Sequence, residues 1–257
     1  MPTTLIFGGS GRVAQQLTKI LAAEPNATIH SVIRSDSYSP ALRAIGATPL
    51  VSSIEESSTE QLTATIERTS PDAVVWSAGA GGKGPQERTV KVDHEGAVRV
   101  MDALAAANTG KPKRFVMVSA IDVRDRENRP VPSWYTKEDE EAGARGWAAI
   151  PTYFKAKLAA DRELVAGNAR RGLEYTIVRP GPLSDEPGQG RVRAGRIHTG
   201  GSISREDVAG VIAAVLKNKD TVGLAFDILG DGEGALGITD AVARVAEKRE
   251  DTFEGYY

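Results

Sequence analysis

The stretch Gly8–Ala14, GGSGRVA, follows directly on the apolar run Thr3–Phe7, TTLIF. Glycines this close together strip side chains from one short piece of backbone. Such a turn either serves strand-to-helix geometry alone or leaves room for an anion at a helix N-terminus. Its neighbours decide. Arg12–Glu24 sets Val13, Leu17, Ile20 and Leu21 on one helical face, so a strand, the glycine turn and a helix follow in that order. Gly8, Gly11 and Ala14 recur at intervals of three: Gly8 permits the turn, Gly11 close approach, and Ala14 packing of helix on strand. In this setting the turn is expected to bind the pyrophosphate of a dinucleotide, through Gly8, Gly9, Ser10, Gly11, Arg12 and Val13.

The rest of the chain repeats the alternation. Short β-branched runs at TIHSVIR, TPLVSS, DAVVWSAG, KRFVMVSA, LEYTIVRPG and LAFDILG are separated by helical patterns. That alternation predicts an α/β fold with a doubly wound, mostly parallel sheet in three layers. The helix RTVKVDHEGAVRVMDALAAAN is expected between the fourth and fifth strands, and TYFKAKLAADRELVAGNARR between the fifth and sixth. Pro180 is expected to break the sixth strand. After Gly181 the pattern loosens into PLSDEPGQGRVRAGRIHTGGS, read as a long loop that carries function or moves.

Composition bounds the partners. The 257 residues hold 26% charged side chains at a net charge of -2, which suits neither a nucleic-acid surface nor an acidic membrane. The absence of cysteine excludes disulfides, thiolate catalysis and cysteine-based zinc sites. No run approaches the roughly 18 apolar residues of a membrane span, and the N-terminus lacks a signal-peptide pattern, so a cytoplasmic protein is expected. His30, His94 and His198 are scattered, and no metal site is expected. The expected partner is a small-molecule substrate, with a homodimer as one possible assembly.

Two further positions bear on the cofactor. A site for NAD puts Asp or Glu after the second strand to accept from the ribose hydroxyls. Here Arg34 and Ser35 stand there, and Asp36 would need a different turn to reach the ribose. A guanidinium suits a 2′-phosphate through charge-assisted hydrogen bonds, which favours NADP. The plain alternative is a solvated arginine in a polar loop. After the fourth strand SAGAGG, Ser77–Gly82, is expected to line the adenosine through Ala78, Gly79 and Ala80, or else to be a flexible connection.

In YFKAK, Tyr153 and Lys157 lie four residues apart and share one helical face. An ammonium beside a phenol favours the phenolate, and the same ammonium can hold the nicotinamide ribose. Ser119, in VMVSA at the end of the fifth strand, can help hold a substrate oxygen. The plain alternatives are a half-buried helix aromatic and a solvated lysine.

Through GGSGRVA, VMVSA, YFKAK and IVRPGPL, in order from Gly8 to Leu183, the chain resembles the short-chain dehydrogenase/reductase superfamily. Within it the chain looks like the atypical branch of NAD(P)H-binding oxidoreductases and flavin- or biliverdin-reductase-like proteins. The resemblance implies a Rossmann fold and assigns the catalytic Tyr, Lys and Ser to Tyr153, Lys157 and Ser119. It assigns the phosphate-binding glycines to Gly8 and Gly11, and the Arg-Pro-Gly turn beside the nicotinamide to Arg179, Pro180 and Gly181. Two departures stand out. Ser119 and Tyr153 are further apart in sequence than in most relatives, the extra length lying in Ile121–Ile150, and the third strand ends VSSIEE where many relatives have an adenine-contacting Asp. Ser52 or Ser53 would have to stand in.

The expected organisation is one NAD(P)-binding domain over 1–257, with substrate-facing segments 120–150 and 182–203. The expected function is NADP-dependent reduction of a carbonyl or conjugated small molecule by hydride transfer, with Tyr153 as the proton donor, Lys157 tuning it and Ser119 positioning the substrate. An NADP-binding redox sensor and a cofactor-assisted isomerase or epimerase are the alternatives. Trp134, Tyr135 and Trp147 beside KEDEEAGARG either cover an apolar substrate or pack their segment onto the sheet. His198 either polarises a carbonyl or is an ordinary loop histidine, and Arg191, Arg193 and Arg196 either attract an anion or are solvated. The aromatic TFEGYY is expected to dock on its own subunit or a neighbour.

Overall fold

A computed structural model describes residues 2–80 and 85–257. The chain begins β1 (Thr3–Phe7), α1 (Arg12–Ala22), β2 (Thr28–Ile33), α2 (Ser39–Ala44), β3 (Ala47–Val51), α3 (Thr59–Thr69) and β4 (Ala73–Trp76). It continues with α4 (Gln86–Thr89), a π-helical stretch Val90–Gly96, α5 (Ala97–Ala106), β5 (Arg114–Val118), α6 (Lys137–Ala149), α7 (Pro151–Ala166) and α8 (Asn168–Arg171). The remainder is β6 (Glu174–Pro180), β7 (Leu183–Ser184), β8 (Arg191–Gly195), β9 (Ile203–Ser204), α9 (Arg205–Lys217), β10 (Leu224–Leu229), β11 (Leu236–Gly237) and α10 (Ile238–Glu247).

Among the described residues the main sheet runs β11-β8-β10-β6-β5-β4-β1-β2-β3. Every pairing from β3 to β10 is parallel, while β8 is antiparallel to both β10 and β11. This is the doubly wound Rossmann fold, its strand order reversing between β1 and β4. Side chains alternate across it with the period of two that strands impose. Ile6, Val75, Val116 and Val178 face one core with Leu17 of α1 and Val208 of α9. Leu5, Phe7, Val74, Trp76, Phe115 and Ile177 face the other with Leu62 of α3 and Leu164 of α7. Helices thus cover both faces, and the strands' carboxyl ends are left to build a site.

Three readings of the sequence change here. The segment after Gly181 is not a plain loop: Arg191–Gly195 forms β8 inside the main sheet, and β7 pairs with β9. Pro180 does not break β6 but is its last residue, its carbonyl still accepting from Ile121 N–H. The helix expected before the fifth strand contains the π-helical stretch Val90–Gly96 between α4 and α5. Such a widening re-aims side chains and is often found at functional sites.

Candidate active site

The glycine turn is shaped by what lies under it. Gly8 has φ +81, and a Cβ there would come within 2.5 Å of the Ala78 backbone in the loop after β4. A Cβ on Gly9 would meet Ser31 of β2 at 2.5 Å. The turn is closed by Gly11 N–H donating to the Gly8 carbonyl and by Gln15 Nε2 donating to the Ser10 carbonyl. Gly11 is the N-cap of α1, and no side chain caps that helix. Its first amides therefore face the cleft with the positive end of the helix dipole behind them, which is what a phosphate requires.

That turn forms one wall of an open cleft of about 150 Å³. Gly8, Ser10, Gly11, Arg34, Ala78 and Gly79 line it, together with Ser52, Ile54, Glu55, Arg88 and Val92. The cleft lies across the β1/β4 switch point, where an open α/β sheet binds nucleotides. Ser35 sits at its edge, its Oγ accepting from Ser37 N–H, while Asp36 accepts from Ser39 Oγ. Arg12 turns away along α1 to Asp185, which also holds Arg205. Val13 is buried in the core, so it can offer a ligand only its backbone. Gly81 and Gly82 of the SAGAGG loop lie outside the described residues.

The second half of the site grows out of the same loop. Ala80 N–H donates to Asp93 Oδ2 at 2.8 Å, and the bare Cα of Gly79 leaves room for that carboxylate. Asp93 is fully buried in the π-helical stretch, and its Oδ1 lies 3.3 Å from Lys157 Nζ. Lys157 also donates to the Val118 carbonyl at the end of β5, at 3.2 Å. Its ammonium stands 5.7 Å from the Tyr153 ring centre. The expected pair on α7 is thus joined to the nucleotide loop through an aspartate that sequence reading missed. Asp93 reads as an ordinary helix charge, because nothing local announces its long-range partner.

The electrostatics run against the lowered phenol pKa expected beside an ammonium. Burial works against charge on Lys157, but Asp93, Tyr153 and Asp161 outweigh it and hold the ammonium above its ordinary value. Burial raises Tyr153 as well. Lys157 pulls it down, yet with Asp93 and Asp161 also pushing upward the phenol stays protonated beyond its ordinary range. Tyr153 therefore rests as the neutral phenol, and its burial makes it a weaker acid than a free tyrosine. Ser119 is 3% exposed and donates to Asp161 Oδ2 at 2.6 Å, so its proton is directed into α7.

Arg179 is buried. It pairs with Asp227 at 3.3 Å, donates to the carbonyls of Ala120 and Val123 and to Thr252 Oγ1, and lies over the Phe253 ring. Pro180 and Gly181 continue the strand end, with Gly181 N–H bonded to the Ile228 carbonyl. His198 and Thr199 both bind Asp139. Arg191 and Arg193 are held on β8 by backbone carbonyls of Ala235, Gly230 and Gly200, and Arg196 lies over Trp134. The tryptophans pack: Trp147 stacks on Phe154 and donates to the Asp122 carbonyl, and Trp134 meets Tyr135 and Tyr256 edge-on.

A family model described as NAD(P)H-binding matches residues 8–219, the span from the glycine turn to the end of α9. The chain belongs to this NAD(P)H-binding family. The UPF0659 protein C216.03 of Schizosaccharomyces pombe is 34% identical over 98% of both chains. A Bacillus subtilis protein described as an uncharacterized sugar epimerase, YhfK, is 34% identical over 93% of this chain and 98% of its own. A solved structure from Bacillus halodurans, provisionally described as an NAD-dependent epimerase/dehydratase, superposes with a TM-score of 0.75 at 30% identity. It covers 95% of this chain and 100% of that one. The cradle at Gly8–Gly11 fits the dinucleotide that such a family binds. No helix among the described residues is long and apolar enough to cross a membrane.

Proposed function

We propose that this protein is an NADP-dependent reductase of a carbonyl or conjugated small molecule. The observation that carries the reading is the Tyr153–Lys157 pair, tied through Asp93 to the nucleotide loop and kept as phenol beside ammonium. When bound, NADPH supplies the hydride. Ser10, Arg12 and Val13 present backbone amides to its pyrophosphate over the bare Gly8 and Gly11, with Arg34 at the 2′-phosphate and Ala78 and Gly79 along the adenosine. Tyr153 gives the substrate oxygen its proton. Lys157 stabilises the phenolate left behind, while Asp93 and the Val118 carbonyl fix the ammonium in place. Segments 120–150 and 182–203 supply the substrate face.

The test is NADPH oxidation against a panel of aldehydes, quinones and flavins. Tyr153→Phe should lower kcat for an accepted carbonyl by about 100-fold, the scale of general acid catalysis, with little change in NADPH affinity. Turnover equal to wild type would remove Tyr153 as the donor. A second reading, a sugar epimerase, is favoured by the likeness to the Bacillus subtilis relative described as an uncharacterized sugar epimerase. An epimerase would regenerate its cofactor and consume no NADPH across many turnovers. Steady NADPH consumption with a carbonyl acceptor therefore decides between the two.

A further inference from the structure

Three separate segments bring charge to one point at the rim of the nucleotide cleft. Arg34 follows β2, Glu55 follows β3, and Arg88 rises on α4. Arg34 Nη1 and Arg88 Nε each donate to the same oxygen, Glu55 Oε1, at 3.1 Å. All three residues line the cleft that Gly8 and Gly11 open. Two guanidiniums repel at this range, and one shared anion draws them together. Glu55 does so with a single oxygen, leaving further N–H groups on both arginines for another acceptor.

The shared anion is easily exchanged. The Arg34 side chain is 62% exposed, which leaves its pair with Glu55 solvent-screened and weak, while Arg88 and Glu55, at 32% and 22%, are part-buried yet still open to the cleft. A phosphate monoester carries close to two negative charges and three strong acceptor oxygens, and guanidiniums grip it in pairs. Two arginines match that charge. Two arginines with a glutamate between them match it only in part. A dinucleotide with its pyrophosphate on α1 brings its adenosine ribose to the end of β2, beside this cluster.

We propose that Arg34 and Arg88 form a two-arginine clamp for the 2′-phosphate of NADP, and that Glu55 is an internal stand-in for that phosphate. Glu55 must release the clamp when the cofactor binds. It is thus a specificity-determining residue, which holds the arginines in place at the cost of weakening the ligand they are placed for. This rests on the NADP reading above and assigns it a second arm. Arg88 carries no local signal in sequence, since it becomes a neighbour of Arg34 only through the fold.

Direct binding tests the clamp without any substrate. Isothermal titration of the full chain with NADPH, with NADH and with 2′,5′-ADP compares wild type with Glu55→Gln, Arg88→Ala and Arg34→Ala. Thermal melts verify that each variant folds. Glu55→Gln should tighten NADPH and 2′,5′-ADP by about three- to fivefold, the worth of an exposed ion pair, and leave NADH unchanged. Each arginine variant should weaken NADPH by about tenfold or more, the worth of a charged hydrogen bond, with NADH little affected. The salt dependence of NADPH binding should fall in both. If Glu55→Gln weakens NADH instead, Glu55 accepts from the ribose hydroxyls and the stand-in role is wrong. If Arg34→Ala changes the NADPH/NADH ratio and Arg88→Ala does not, the clamp is overturned while the NADP reading survives. If folded wild type binds NADH as tightly as NADPH, both fall together.

Discussion

Asp161 lies one turn beyond Lys157 and two beyond Tyr153 on α7, fully buried, with Ser119 Oγ donating to it. Burial lifts its pKa from 3.8 to about 6, against the opposing pull of Arg179, the Ser119 hydrogen bond and Lys157. Between those two values the folded chain keeps a proton that the unfolded chain has lost. The favourable contribution is therefore complete below about pH 4 and is lost as pH rises through about 6. Asp161→Asn removes the titration and keeps an acceptor for Ser119. It should unfold at higher urea than wild type at pH 7.5, by on the order of 2 kcal/mol, and the gain should vanish near pH 4. A variant less stable than wild type at pH 7.5 would contradict this. The same residues show what a sequence reveals at this scale. Tyr153 and Lys157 are legible because helical spacing alone joins them. Asp161 shares their face yet reads as a solvated charge, and Asp93, Glu55 and Arg88 take their meaning from partners that only the fold supplies.

At the scale of elements, α6 carries a device that ties two segments flanking the site. Asp139 closes a capping box with Thr136, its N–H bound to Thr136 Oγ1 and its carboxylate accepting from Thr136 N–H. The same carboxylate accepts from Thr199 N–H at 2.6 Å and from Thr199 Oγ1 at 3.0 Å, and meets His198 Nδ1 at 2.7 Å. Burial alone would raise Asp139. The hydrogen bonds from Thr136, His198 and Thr199 overcome it and hold the carboxyl at about 2. The stabilisation is present above the ordinary 3.8 and is lost as pH falls through about 2. Thr136→Ala removes a cap and should cost about 1 kcal/mol. Asp139→Ala also strands the buried Thr199 N–H and should cost about 2–3 kcal/mol in all. Beyond the lower Tm, protease cleavage within 196–202 should speed up in Asp139→Ala and barely change in Thr136→Ala. Equal cleavage in both would mean that Asp139 acts as a cap only. The sequence reveals this poorly. KEDEEAGARG reads as a charged insert and RVRAG as loop, because β8 is five residues long and owes its place to the strands β10 and β11 that flank it.

The whole molecule was the most legible scale, because alternation of strands and amphipathic helices is set by local periodicity and survives any detail of the site. What periodicity does not carry is closure. Here the C-terminal segment clasps the sheet to the segment 121–135. Thr252 N–H donates to the Ala225 carbonyl of β10 at 2.8 Å, and Phe253 is 1% exposed beneath Arg179 and against Tyr257. Asp125 N–H donates to the Tyr256 carbonyl, Arg129 Nε donates to the Tyr257 carbonyl, and the Tyr256 ring meets Trp134 edge-on. Anchor and grip are thus separate side chains, and they should fail differently. Phe253→Ala empties a core position shared with Arg179 and should cost about 3–5 kcal/mol of global stability, read as a lower denaturant midpoint. Tyr256→Ala removes an edge-on contact worth about 1 kcal/mol and leaves the core filled. Its effect should be local. Backbone amides of 125–135 should exchange with deuterium faster, while those of β5 and β6 keep wild-type protection. If Tyr256→Ala instead lowers protection across the sheet, the tail is part of the core rather than a clasp. If amides of 125–135 exchange as in wild type, the segment holds its shape without the tail.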